Sequence, residues 1–156
     1  MAEIHLICGK ICAGKSVYAK ALAEETGGVI LSADEVTTLF AADLGPRHDE
    51  VSRRVRDYLC QKAAQIASRG VCVILDWGFW TKEMRRDTAA FFRRQGLPCV
   101  WHYLDISDAV WEKRIQSRNA RPGPADYTVD EGLKEKCLRL FEAPAPEEID
   151  RWVRVE

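Results

Sequence analysis

Residues 9–16 read GKICAGKS, and this segment constrains the chain more than any other feature. The apolar run EIHLIC enters it and the alanine-rich pattern VYAKALAEE leaves it, so a strand must pass into a helix through a loop bounded by glycines. Such a loop aims backbone N–H groups and the positive end of a helix dipole at one point, and glycine lets the backbone curl closely around a ligand there. A phosphate chain meets that description. In the full pattern G-x-x-x-x-G-K-[ST], lysine adds a mobile charge near the β- and γ-phosphates and the serine hydroxyl ligates Mg²⁺. The match arises by chance in roughly one chain of this length in two hundred. Gly9, Cys12, Ala13, Gly14, Lys15, Ser16 and Val17 are therefore the expected nucleotide contacts, with Lys15 and Ser16 carrying the chemistry and the side chains of Ile11 to Ala13 mattering less. Cys12 reads either as a small side chain at a variable loop position or as a thiol acidified by the dipole and Lys15.

The rest of the chain repeats the strand-to-helix rhythm. EIHLIC, GVILS, VCVILD and CVWHYLD read as strands separated by helical patterns, which means βαβ crossovers and a parallel sheet covered on both faces. Val51, Val55, Leu59, Ala63, Ile66 and Ala67 recur as one buried helix stripe, and Gly70 stops that helix. Thr81 is placed to cap a helix with Met84, Thr88 and Phe91 on its inner face, and Ser107 to cap another running to about Arg118. The stretch RNARPGPADY forbids regular helix and reads as a loop. TVDE from Thr128 has the form of a capping box, so a last helix runs to about Phe141, and Trp152 to Val155 supply a fifth strand.

Length and charge narrow the class. At 156 residues and a net charge of −1, the chain fits one domain, 1–156. A domain of that size buries roughly 70 per cent of its unfolded surface. No run approaches the ~18 apolar residues of a membrane span and no signal-like segment opens the chain, so a soluble, cytoplasmic protein is expected. The six cysteines fall in apolar or helical runs without a C-x-x-C pair, which favours free thiols over disulfides or zinc. Near-neutral charge argues against wholesale nucleic-acid binding, and the arginine clusters at 53–56, 85–86 and 93–94 read as solvated faces. Neither N-K-x-D nor D-x-x-G occurs, so a GTPase is disfavoured, and the single Asp76 closing VCVILD differs from the paired acids of a motor ATPase. A small phosphotransferase remains.

In that light GKICAGKS, LSADEV, VILDWGFW and EKRIQSRNAR, taken in order, cover most of the chain and resemble the compact phosphate-loop kinases. That group includes chloramphenicol phosphotransferase, the kinase domain of polynucleotide kinase, gluconate kinase and the zeta toxins. The resemblance implies an α/β three-layer sandwich with a five-stranded parallel sheet in the order 2-3-1-4-5 and an arginine-bearing lid at about 118–128. It implies ATP and Mg²⁺ as cofactors. It also implies that Asp34 accepts the proton of an acceptor hydroxyl, although Asp34 following Ser32 equally suits the first turn of a capped helix. Asp76 matches a carboxylate that orients Mg²⁺-bound water or substrate, and Ser16 the other metal contact; a strand-terminal aspartate can also simply cap a turn. Arg114, Arg118 and Arg121 match lid arginines that neutralise the transferring phosphoryl group or stack on adenine, tasks suited to a planar guanidinium. Trp77, Phe79 and Trp80 read either as a stacking platform for the acceptor or as core beneath the lid. Arg47, His48 and Arg53 fall where related kinases hold their acceptor. A small-molecule hydroxyl is the primary expectation, a polynucleotide 5′-hydroxyl the alternative, and a nucleotide-binding regulator or toxin-like module acting on a protein the reading from another class.

Overall fold

Five short strands pair in parallel in the computed structural model, which describes residues 2–39, 45–121 and 129–156. They are β1 (Ile4–Cys8), β2 (Val29–Leu31), β3 (Val73–Gly78), β4 (Cys99–Ile106) and β5 (Arg151–Val155), in the spatial order β2-β3-β1-β4-β5. The helices are α1 (Lys15–Thr26), α2 (Ala33–Leu39), α3 (His48–Ala67), α4 (Lys82–Arg94), α5 (Asp108–Ala120) and α6 (Glu131–Leu140). This is the order and class that the family resemblance implied.

Alternation along the strands divides the core into two layers, because successive side chains on a strand point to opposite faces. Ile4, Leu6 and Cys8 of β1 meet Ala63 and Ala67 of α3 and Phe92 of α4. On the other face Ile7 meets Ala19 and Leu22 of α1, Trp111 and Ile115 of α5, and Cys137 of α6. The central strands are mostly apolar on both faces because helices cover both, with the buried His5 of β1 and His102 of β4 as polar exceptions. All six cysteines are free thiols, with Cys8 and Cys137 buried and the other four half-buried.

Local signals placed several helix ends correctly. The Thr81 hydroxyl accepts the Met84 N–H at 3.1 Å, and Ser107 accepts that of Val110 at 3.4 Å. The last helix departs from expectation: Thr128 lies outside the described residues, and Asp130 is the cap, its Oδ1 accepting the Leu133 N–H at 2.8 Å. The stripe of α4 is also rotated. Phe92 is fully buried, whereas Met84 and Phe91 are only partly so.

Arg85 overturns the reading of its cluster as a solvated face, since it is 2% exposed. Its Nη1 donates to the Phe79 carbonyl at 2.8 Å and its Nε to Glu148 at 3.1 Å. A buried guanidinium needs both a counter-charge and acceptors. Here they come from the loop after β3 and the turn before β5.

Candidate active site

The phosphate loop is held from below by contacts remote in sequence. The Gly9 N–H donates to the Gly78 carbonyl at 3.0 Å, which ties the start of the loop to the end of β3. Trp111, 2% exposed, donates its indole N–H to the Ile11 carbonyl at 2.7 Å. Ile11 and Ala13 are buried, so their side chains anchor the loop and matter more than the motif suggested. Cys12 and Gly14 both adopt left-handed backbone, with φ of 59° and 94°. That conformation is unusual for a cysteine and ordinary for glycine.

Lys15 folds back over the loop, its Nζ donating to the carbonyls of Lys10 at 2.6 Å and Gly9 at 3.2 Å. Burial lowers its pKa, while the carboxylates of Asp34 and Asp76 act in the opposite sense. Those influences place three charges from the ends of β1, β2 and β3 in one neighbourhood, as expected at the carboxyl edge of an open sheet. Burial also pushes Asp76 up to about 6, with the negative charge of Asp34 adding to the shift and Lys15 and a Ser32 hydrogen bond opposing it. Asp34 is exposed in the first turn of α2, and the Ser32 hydroxyl accepts the Glu35 N–H at 3.4 Å. The capping role of Ser32 therefore coexists with an exposed Asp34 carboxylate whose charge acts on both Lys15 and Asp76.

The residues present suit Mg²⁺. Among the described residues no cluster of three or more histidine, cysteine, aspartate or glutamate side chains could hold a metal ion by themselves. Magnesium is commonly bound by one or two carboxylates with substrate phosphates and water completing its shell. The exposed Ser16 hydroxyl at the start of α1 and the Asp76 carboxylate supply that kind of partial donor set. Val17, also at this helix start, is 75% exposed.

Helix α5 brings arginines to the opposite side of the loop. A Cβ built on Gly14 would come within 2.8 Å of Arg114 Nη1, which shows how closely that guanidinium approaches the loop, while the left-handed backbone is what calls for glycine there. Arg118 Nη1 donates to Cys12 Sγ at 3.2 Å. Arg114 and Arg118, one helical turn apart, thus both reach the loop, whereas Arg121 is exposed at the end of α5. Of the expected lid, residues 122–128 lie outside the described residues.

Of the two readings left open for the aromatics after Asp76, a stacking platform or core, Phe79 follows the second. Phe79 is fully buried, packing edge-on against Trp101 at 5.1 Å and against Trp77 at 5.2 Å, and is therefore core and no substrate contact. Trp77 joins the α3 and α4 side of the core while Trp80 packs against the other side, so the rings do not form one stacking surface. On the acceptor side, Arg47 and His48 are exposed and pair with Glu50 at 3.8 Å and Asp49 at 3.5 Å, and Arg53 is exposed on α3. Arg56 is the residue that sequence reasoning passed over. It is half-buried on α3, its pKa lowered by burial, and Asp34 is among the carboxylates that counter the shift.

Comparison with known proteins agrees with this fold. The AAA domain family matches residues 4–144. The chain is 28% identical over 152 residues to a KTI12 homolog of Arabidopsis thaliana, covering 94% of this chain and 49% of that protein. It thus spans about half the length of that curated relative. The structure of Chaetomium thermophilum Kti12 with ADP-AlF3 superposes with a TM-score of 0.72 at 12% identity, covering 97% of this chain and 88% of that one. Mycobacterium tuberculosis APS kinase with AMPPNP and APS superposes at 0.70 with 19% identity, covering 99% and 89%. These likenesses are of fold, and the fold is that of the small phosphate-loop kinases. No described helix is long and apolar enough to cross a membrane. With its phosphate loop, sheet order and a family match over most of its length, the chain belongs to the AAA domain family of nucleotide-binding phosphate-loop proteins.

Proposed function

We propose that this chain is an ATP-dependent phosphotransferase that moves the γ-phosphate of ATP to a hydroxyl of a small molecule. The observation that carries the reading is the shared electrostatic neighbourhood of Lys15, Asp34 and Asp76 on one side of the loop, with Arg114 and Arg118 on the other. A module that only bound nucleotide would not require a proton-accepting carboxylate such as Asp34 in that neighbourhood.

In this mechanism the loop amides and Lys15 hold the phosphates. Asp34 takes the proton of the acceptor hydroxyl as that oxygen bonds to the γ-phosphorus, and the bond from phosphorus to the bridging oxygen of ADP breaks. Arg118, with Arg114 and Arg121, stabilises charge on the transferring group. Ser16 and Asp76 would hold Mg²⁺, which would supply charge neutralisation on the phosphates. Arg56 and the exposed Arg47 and Arg53 line the acceptor side.

Incubation with γ-labelled ATP, Mg²⁺ and a panel of antibiotics, sugars, nucleosides and 5′-hydroxyl oligonucleotides tests the assignment. Label should appear on one small-molecule class. Label on oligonucleotides, with binding that weakens steeply as salt rises, would favour the polynucleotide kinase alternative. The similarity to KTI12 proteins, together with the half-length coverage, favours one second reading: a nucleotide-dependent module acting on a protein or a larger assembly. It predicts ATP binding with no label on any free hydroxyl compound.

A further inference from the structure

The last turn of α5 is fastened by a side chain to which the proposed mechanism gives no role. Asn119 Nδ2 donates to the Val129 carbonyl at 2.7 Å, and Asn119 Oδ1 accepts the Val129 N–H at 2.8 Å. One amide thus satisfies both backbone groups of a single residue, much as a neighbouring strand would. Val129 is 2% exposed, in the same core layer as Trp111 and Ile115 of α5 and Cys137 of α6. The next residue, Asp130, caps α6. The amide therefore couples the end of α5 to the start of α6 through a buried anchor.

The coupling lies next to the arginines. Arg118 directly precedes Asn119 and touches Cys12, and Arg114 lies a turn earlier against Gly14. A free helix terminus frays, and fraying would let Arg118 leave the loop first. From this geometry we propose that Asn119 is a positioning residue: by pinning the last turn of α5 to Val129, it holds Arg118 over the phosphate loop where charge develops on the transferring group. This role rests on the phosphotransferase reading, because it assigns Arg118 its work in the transition state.

The test is an affinity measurement that needs no acceptor. Mg²⁺-ADP binding is measured with and without aluminium fluoride, which mimics the phosphoryl group in transfer, for wild type, Asn119→Ala, Asn119→Asp, Arg118→Ala and the double variant Arg118→Ala/Asn119→Ala. Asn119→Asp keeps an acceptor for the Val129 N–H but replaces the donor by a charged oxygen that repels the Val129 carbonyl, so it breaks the same link with the side chain's volume kept and serves if the alanine variant folds poorly. In the wild type, fluoroaluminate should tighten ADP binding, and Asn119→Ala should forfeit about tenfold of that gain while binding ADP alone within about twofold of wild type. The double variant should be no worse than Arg118→Ala, because Asn119 acts through that arginine. Equal tightening in wild type and both Asn119 variants, or a double variant in which the two losses multiply, would overturn the proposal alone. No tightening in the wild type would overturn the phosphotransferase reading and the role of Asn119 with it.

Discussion

Asp76 illustrates how a site can oppose the stability of the fold that carries it. Its pKa is about 6 in the folded chain against an ordinary carboxylate value of 3.8. The folded state therefore holds the proton more tightly than the unfolded one, and stability falls as pH rises from about 4 through 6. Asp76→Asn removes the charge, so it should raise the melting temperature at pH 8, by an amount reflecting on the order of 1 to 3 kcal/mol, with the gain vanishing near pH 4. The same substitution should weaken Mg²⁺-dependent nucleotide binding. Unchanged stability across that window in calorimetric scans would mean that the carboxylate is not strained by its surroundings. Arg118→Ala should lower turnover more than it weakens ATP binding, as steady-state rates beside equilibrium affinities would show; the reverse would make it a binding residue.

Helix α1, which the phosphate loop opens, rests on a polar contact buried between it and the sheet. His5 Nδ1 and His102 Nε2 lie 3.0 Å apart, and the Tyr18 hydroxyl is 2.8 Å from His102 Nδ1. Burial, with His5 and Arg151 adding to it, lowers the pKa of His102 from 6.5 to about 4. The unfolded chain therefore takes up this proton first, and the contribution of His102 makes stability fall as pH drops from about 6.5 to 4. This is opposite in sign to Asp76, so the two groups separate by variant: His102→Gln should flatten the acid limb of melting temperature against pH, and an unaltered limb would contradict the assignment. A second element-scale prediction concerns α4. Arg85→Met leaves Glu148 and the Phe79 carbonyl without their partner and should cost about 3 kcal/mol in denaturant unfolding; a loss below about 0.5 kcal/mol would show that the buried pair contributes little.

At the scale of the whole molecule, the sequence disclosed what depends on near neighbours. GKICAGKS, the β-branched runs and the caps at Thr81 and Ser107 were legible because the physics of each acts within four or five residues. Sheet order came from the family resemblance, since strand runs alone do not choose among parallel orders. What stayed hidden was set by distant contacts. Arg85 looks like half of a surface cluster until the turn at Glu148, 63 residues later, supplies its counter-charge. His5 meets His102 across 97 residues of chain. Arg56 and Arg53 are alike in sequence, and only the packing around α3 decides that Arg56 is half-buried and Arg53 exposed. Whether the WGFW rings serve as platform or core was undecided in the sequence for the same reason. Alternation, with a left-handed backbone at Gly78 and Phe79, sends Trp77 and Trp80 to different faces and Phe79 into the core.

The central claim is that a phosphoryl group is transferred at this site and that Asp34 receives the proton. The most direct measurement compares wild type with Asp34→Asn in Mg²⁺-ATP affinity and in the rate at which γ-label reaches the acceptor. Removal of a general base should lower the transfer rate by about 10²–10⁴-fold while leaving nucleotide affinity within a few-fold of wild type. Near-normal transfer by a folded Asp34→Asn would contradict the account.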